Sequence, residues 1–176
     1  MLDRLETENL KIIPCTPEIL QYAIKGDQAL AEHLNISIVE NWTEFGTAAL
    51  QYALEKLSGD NAEIGWWTHF PVHKKVNKLI GSGGYAGKPS AEGVVEIGYE
   101  IAPDFRGQGL ASEYAAALIS NAFSFPQVQT ILATTLGEYN PSTSVLIRCG
   151  FTKVKEQVDP EHGAIWYWEK KRILSS

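Results

Sequence analysis

Between residues 94 and 101 apolar and polar positions alternate. Val95, Ile97, Tyr99 and Ile101 fall on one face of an extended segment, and Glu96, Gly98 and Glu100 on the other. The pattern predicts a strand ended by Pro103-Asp104, because proline has no N–H to give to a ladder. The period then changes. Leu110, Tyr114, Leu118, Ala122 and Phe125 recur at helical spacing, and Pro126 closes the run.

The rest of the chain switches period in the same way. Residues 10–15 read as a short apolar strand. A helix then starts at Thr16-Pro17-Glu18, with Thr16 as cap, Pro17 in the first helical position and an acid in the first turn. Its stripe of Ile19, Ala23, Ile24, Leu30 and Leu34 is broken at Gly26. A second helix is predicted over about 43–57, stopped by Ser58-Gly59-Asp60. Residues 64–72 are aromatic and β-rich. Residues 79–86 form a strand whose Gly81, Gly83 and Gly84 predict a bulge or a close backbone approach, since no helix follows them. After a loop at 87–93 and the two central elements, 130–136 is a β-branched strand. Asn140-Pro141-Ser142 opens a short helix through Arg148, with Gly150 as its C′ glycine. Segments 153–158 and 164–171 pair as a terminal hairpin. No repeat or linker interrupts the chain, so residues 1–176 read as a single domain.

The turn between the central strand and helix, Arg106-Gly107-Gln108-Gly109-Leu110-Ala111, is the first candidate for chemistry. The first N–H groups of a helix lack internal partners and carry the positive end of the macrodipole, and glycines let a phosphate approach them. The turn is no Walker loop, which would end in Gly-Lys-Ser/Thr. It is no dinucleotide fingerprint either, since Ser112 stands where the third glycine belongs.

What fits is Arg/Gln-x-x-Gly-x-Gly/Ala after a strand ending in Ile-x-Pro, carried here by Arg106, Gly109 and Ala111. This resembles motif A of the GNAT superfamily of acyl-CoA N-acyltransferases. Glu96-Ile97-Gly98-Tyr99 and Ala111-Ser112-Glu113 are similar to its ribosomal-protein N-acetyltransferase branch. Residues 140–151 resemble the family's second conserved block. The resemblance implies an α/β fold: a mixed, mostly antiparallel sheet of about seven strands, splayed at its centre and flanked by helices, with two early helices roofing an acceptor site. It implies transfer of an acetyl group from acetyl-CoA to a primary amine, with no metal. The branch suggests a protein N-terminal amine. The alternatives are a small-molecule amine (antibiotic, polyamine or amino acid) and a CoA-sensing module that binds without turnover.

Composition narrows this picture. A formal charge of −6 argues against nucleic acid as partner and suits an amine-bearing substrate. Cys15 and Cys149 are too few for a disulfide scaffold, and no apolar run approaches a membrane span, so a cytoplasmic protein without membrane contact is expected, as monomer or homodimer. His33, His69, His73 and His162 show no metal-ligand spacing.

The resemblance assigns roles residue by residue. The backbone of Gly107, Gln108, Gly109, Leu110 and Ala111 takes the pyrophosphate, while Arg106 either assists by charge or fixes the turn. The edge of the central strand at Tyr99 and Ile101 pairs with the pantetheine amides, and Gly98 leaves room for the acyl group. Glu96 is the candidate general base, with Glu100 as rival on the same face. Asn140 and Ser142 match cofactor-contacting positions, but either also serves as a helix cap. Trp66, Trp67 and His69 flank the acceptor groove in the family; core packing is their alternative. Leu146 stands where some members carry a tyrosine acid, which leaves the general acid open.

Overall fold

The computed structural model describes residues 4–174. Its elements in chain order are β1 (Leu5–Glu6), β2 (Leu10–Pro14), α1 (Pro17–Lys25), α2 (Asp27–Leu34), β3 (Ser37–Ile38), α3 (Gly46–Gly59), β4 (His69–His73), β5 (Lys78–Leu79), β6 (Gly81–Tyr85), β7 (Val94–Ile101), α4 (Leu110–Phe123), β8 (Thr130–Leu136), α5 (Pro141–Arg148), β9 (Thr152–Asp159) and β10 (Gly163–Lys171). Local signals account for most boundaries. Thr16 Oγ1 accepts from the Ile19 N–H to cap α1, and Gly26 at φ 146° separates α1 from α2. Asn140 and Thr143 form a reciprocal capping box at α5.

The α/β class holds, with mixed, mostly antiparallel pairing, but the strands divide differently from expectation. They form two five-stranded sheets, ordered β1-β2-β4-β5-β3 and β6-β7-β8-β10-β9, instead of one sheet of about seven. The predicted strand 79–86 is cut at Ile80, where the chain leaves one sheet for the other. There the Ile80 N–H donates to Pro71 and its carbonyl accepts from Ala102, so the crossing residue stays satisfied. Gly84 joins the sheets through a bridge to Thr68. At φ 133° with the Trp67 carbonyl against its Cα, it admits no side chain, which is the close approach expected there.

Three helices, not two, follow β2, because the break at Gly26 is complete. Leu20, Leu30, Trp42, Leu50, Leu57, Phe70 and Leu79 form one apolar cluster between these helices and the first sheet. The second cluster packs Tyr114, Leu118 and Ala122 of α4 against Ile97, Ile101 and Ile131 of the second sheet. Tyr114 is fully buried at the seam, its hydroxyl donating to the His69 carbonyl on β4. Phe125, expected on the helical stripe, lies just beyond α4 and packs on Trp66 instead.

Candidate active site

The second sheet contains the opening. β7 and β8 run parallel, but they pair only at Val94–Thr130, Val95–Ile131 and Glu96–Leu132. Beyond that point β8 stays with β10 up to Leu136, and β7 stays with β6 up to Ile101. From Ile97 onward, therefore, the β8-facing edge of β7 has no ladder partner. The unpaired edge is what an extended amide chain needs for strand addition.

Two cavities meet at this split. One, of about 450 Å³, lies under α3 and includes Phe45, Tyr52, Trp67, Glu96, Gly98 and Thr134. The other, of about 930 Å³, lies over the start of α4 and includes Arg106, Gly107, Gly109, Ala111, Ser112 and Arg148. Tyr99 and Ser142 line both, and the Tyr99 hydroxyl donates to the Ser142 carbonyl at 3.1 Å. Burial pushes the Tyr99 hydroxyl up to about 12.

The larger cavity has the fit expected of a CoA site. Gly109 caps α4 at φ 78° with no side-chain hydrogen bond, so the first-turn N–H groups face the cavity unclaimed by a cap. A Cβ at Gly107 or Gly109 would meet nothing within 4 Å, which leaves the approach open. Arg106 does fix the turn: its Nε donates to the Ile101 carbonyl at 2.8 Å, while its guanidinium lies 3.6 Å from Glu44. Gln108 is exposed and does not line this cavity, a departure from expectation that follows from its place at the turn's outer tip. Leu110, Ile101, Asn140 and Ser142 do line it. Asn140 is also the helix cap, its Oδ1 accepting from the Thr143 N–H at 3.0 Å.

On the other side, Glu96 is half-buried at the head of the split. Burial pushes its carboxyl above the ordinary glutamate value, and the Thr134 hydroxyl pulls the other way. Gly98, next along that face, has no atom within 4 Å of where a Cβ would sit. Glu100 lines the larger cavity instead, and its carboxylate is already engaged. It accepts from the Thr43 hydroxyl at 2.9 Å and from the N–H groups of Glu44 at 2.5 Å and Phe45 at 3.3 Å, which hangs the loop before α3 on the central strand.

The three acceptor candidates separate. Trp67 lines the smaller cavity, its indole N–H held at 2.9 Å by Glu63. Trp66 does not: it is 6% exposed and packs on Tyr85 and Phe125. His69 is also core, with its Nε2 2.9 Å from the Gly65 carbonyl and burial pushing its pKa down. Neither tryptophan is in a strand. A turn with Gly65 at φ 88° and bends at Trp66 and Trp67 occupy the start of the segment 64–72 where β-rich composition predicted extension, and the strand begins only at His69. Phe45, Tyr52, Thr134 and Arg148 were not singled out as site residues. Arg148 reads from sequence as a cation suited to a helix C-terminus, yet it lines the larger cavity and donates to Ser112 at 3.2 Å.

A split parallel pair over an uncapped helix start, with a carboxylate at the head of the split, is an arrangement suited to acyl transfer from an acyl-CoA. Residues 15–152 match the family model described as an acetyltransferase (GNAT) domain, and the chain belongs to that family. It is 26% identical to the Bacillus subtilis protein named uncharacterized N-acetyltransferase YjdG, over 90% of this chain and 95% of the relative. Among solved structures, the fold is shared with RimL, a ribosomal L7/L12 α-N-protein acetyltransferase in complex with coenzyme A (TM-score 0.70, 13% identity, covering 96% of this chain and 98% of that one). It is also shared with a spermidine N-acetyltransferase SpeG chimera from Vibrio cholerae and hSSAT (TM-score 0.67, 16% identity, 93% and 96% covered).

Proposed function

We propose that this N-acetyltransferase moves an acetyl group from acetyl-CoA to a primary amine, with Glu96 as the general base. The observation that carries the reading is the split after Glu96. It joins a cavity holding a carboxylate to a cavity over free helix N–H groups, with Tyr99 and Ser142 at the junction.

Acetyl-CoA supplies an acyl carbon activated by its thioester. The protein's part is to hold, orient and deprotonate. The N–H groups of Leu110 to Ser112 and the guanidiniums of Arg106 and Arg148 face the anionic end of the cavity. The open edge of β7 from Ile97 to Ile101 receives the extended amide chain, which places the thioester beside Gly98, where no side chain intrudes. Glu96 takes a proton from the incoming ammonium, directly or through one water, and frees the nitrogen lone pair. The C–N bond then forms as the C–S bond breaks, and the nitrogen's second proton passes to the departing thiolate or to water. Leu146 floors the acceptor cavity without a proton to give, and a thiolate is a tolerable leaving group without one.

A second reading, a protein that binds CoA without turnover, gains nothing from the carboxylate beside the split. The two separate in one measurement: thiol release and acetylated amine, followed by mass, on mixing the protein with acetyl-CoA and an amine panel. Tight CoA binding with no acetylated product across the panel would overturn the transferase reading for this chain.

A further inference from the structure

We infer that the acceptor is a primary monoamine carried on an apolar, aromatic body, and that polycationic amines are poor substrates. The inference rests on the transferase reading and names the substrate class of its acceptor cavity. Among the described residues lining that cavity, Glu96 alone carries a charge at neutral pH. Two other carboxylates bond to lining residues, but neither lines the cavity itself. Glu63 accepts from the Trp67 indole and the Lys88 N–H, and Glu100 accepts from three donors of residues 43–45. Within the cavity one ammonium can therefore meet a carboxylate directly. A second would leave water without a carboxylate in direct reach, which is costly. Lys56 adds to this, since its ammonium lies 5.3 Å from the Tyr52 ring centroid and repels any further cation near that wall.

The remaining wall is apolar and aromatic. Tyr52 and Trp67 meet edge to face at 5.5 Å, and Leu146 and Ala53 close the floor. Phe45 and Tyr52 keep 55% and 53% of their surface exposed, and both line the cavity. Rings left uncovered around a single carboxylate suit an aromatic body with its ammonium directed at Glu96. Two sources share that chemistry: a free arylalkylamine, and a peptide whose first residue is aromatic.

Binding to the protein saturated with CoA, which cannot react, tests this apart from catalysis. Calorimetry would compare 2-phenylethylamine, spermidine and a tripeptide amide beginning with phenylalanine at one pH and ionic strength. We expect 2-phenylethylamine to bind at least about tenfold tighter than spermidine, the cost of one unpaired ammonium. Tyr52→Ala, an exposed helical position, should weaken 2-phenylethylamine about fivefold and leave spermidine unchanged. Ala49→Glu, which adds a carboxylate on the exposed lining of α3, should tighten spermidine alone. Spermidine binding as tightly as 2-phenylethylamine, or indifference to both variants, overturns the inference. The peptide arm assigns the source: parity with 2-phenylethylamine points to a chain terminus, and weaker binding to a free amine. An amine that binds as expected but is never acetylated would defeat the transferase reading and leave this inference standing.

Discussion

Glu96 and Glu100 stand on the same face of one strand, yet only Glu96 borders the smaller cavity, while Glu100 is tied to the loop before α3. Glu96 is at the point where β7 and β8 part, borders the acceptor cavity, and is opposed only by the Thr134 hydroxyl. Glu100, two pleat repeats further along the open edge, already accepts from three donors in the loop before α3. Burial raises both carboxyls. The difference between them is one of lone pairs. A carboxylate that already accepts three hydrogen bonds holds a loop, whereas one facing a cavity with spare acceptor capacity can take a proton. The two cavities differ likewise. The cavity proposed for the cofactor centres on backbone at a helix start, whereas the proposed acceptor cavity is walled by side chains of distant segments.

The same isosteric change at both glutamates breaks or supports the comparison. Glu96→Gln should lower kcat by about 10²–10⁴ at pH 7 with acetyl-CoA affinity unchanged, since a positioned base contributes on that order. In the parent, kcat should fall as pH drops through the elevated Glu96 pKa, because only the carboxylate accepts a proton. The glutamine variant should lack that acid limb and recover partly at high pH as free amine accumulates. The stability sign runs the other way. A carboxyl raised on folding destabilises the fold once ionised, so Glu96→Gln should unfold at an equal or slightly higher temperature at pH 7. Parental kcat in Glu96→Gln would remove the base from this position.

Ser112→Glu probes the backbone-built half. Its carboxylate would neutralise Arg148 and sit against the phosphates, raising the acetyl-CoA dissociation constant by about 10- to 100-fold. An acid in the first helical turn suits the macrodipole, so thermal stability should hold or rise, which separates lost binding from lost folding. Glycine 109 is a worse probe, since its φ of 78° would strain any replacement.

Glu100→Gln should be mild by contrast. It loosens the loop and raises the amine KM about fivefold, with kcat within about twofold, because one amide oxygen still accepts. A kcat loss equal to that of Glu96→Gln would show that the two carboxylates do not divide the work. Arg148→Ala should have the smallest effect, about a threefold weaker acetyl-CoA affinity that vanishes at high salt, as for an exposed cation near phosphate. A salt-independent loss would place Arg148 in packing instead.

The turn and helix start proposed to hold the cofactor were legible because their signals are local. Gly109, Pro103 and the apolar period from Leu110 determine the turn and the helix start through φ, capping and spacing within some twenty residues. Asn140 and Gly150 bound α5 by the same local rules. Tertiary structure decided what local rules do not reach. Trp66 and Trp67 are neighbours with the same composition signal. The turn at Gly65 sends one ring onto Tyr85 and Phe125 and leaves the other in the cavity. His69 was lost to the core when β4 paired with β2 and Tyr114 closed over its carbonyl. The division into two sheets at Ile80, the capture of residues 43–45 by Glu100, and the arrival of Tyr52 opposite Trp67 all depend on partners far away in sequence. Periodicity tells which face a residue takes. Only the packing of one face on another tells whether that face meets core, cofactor or substrate.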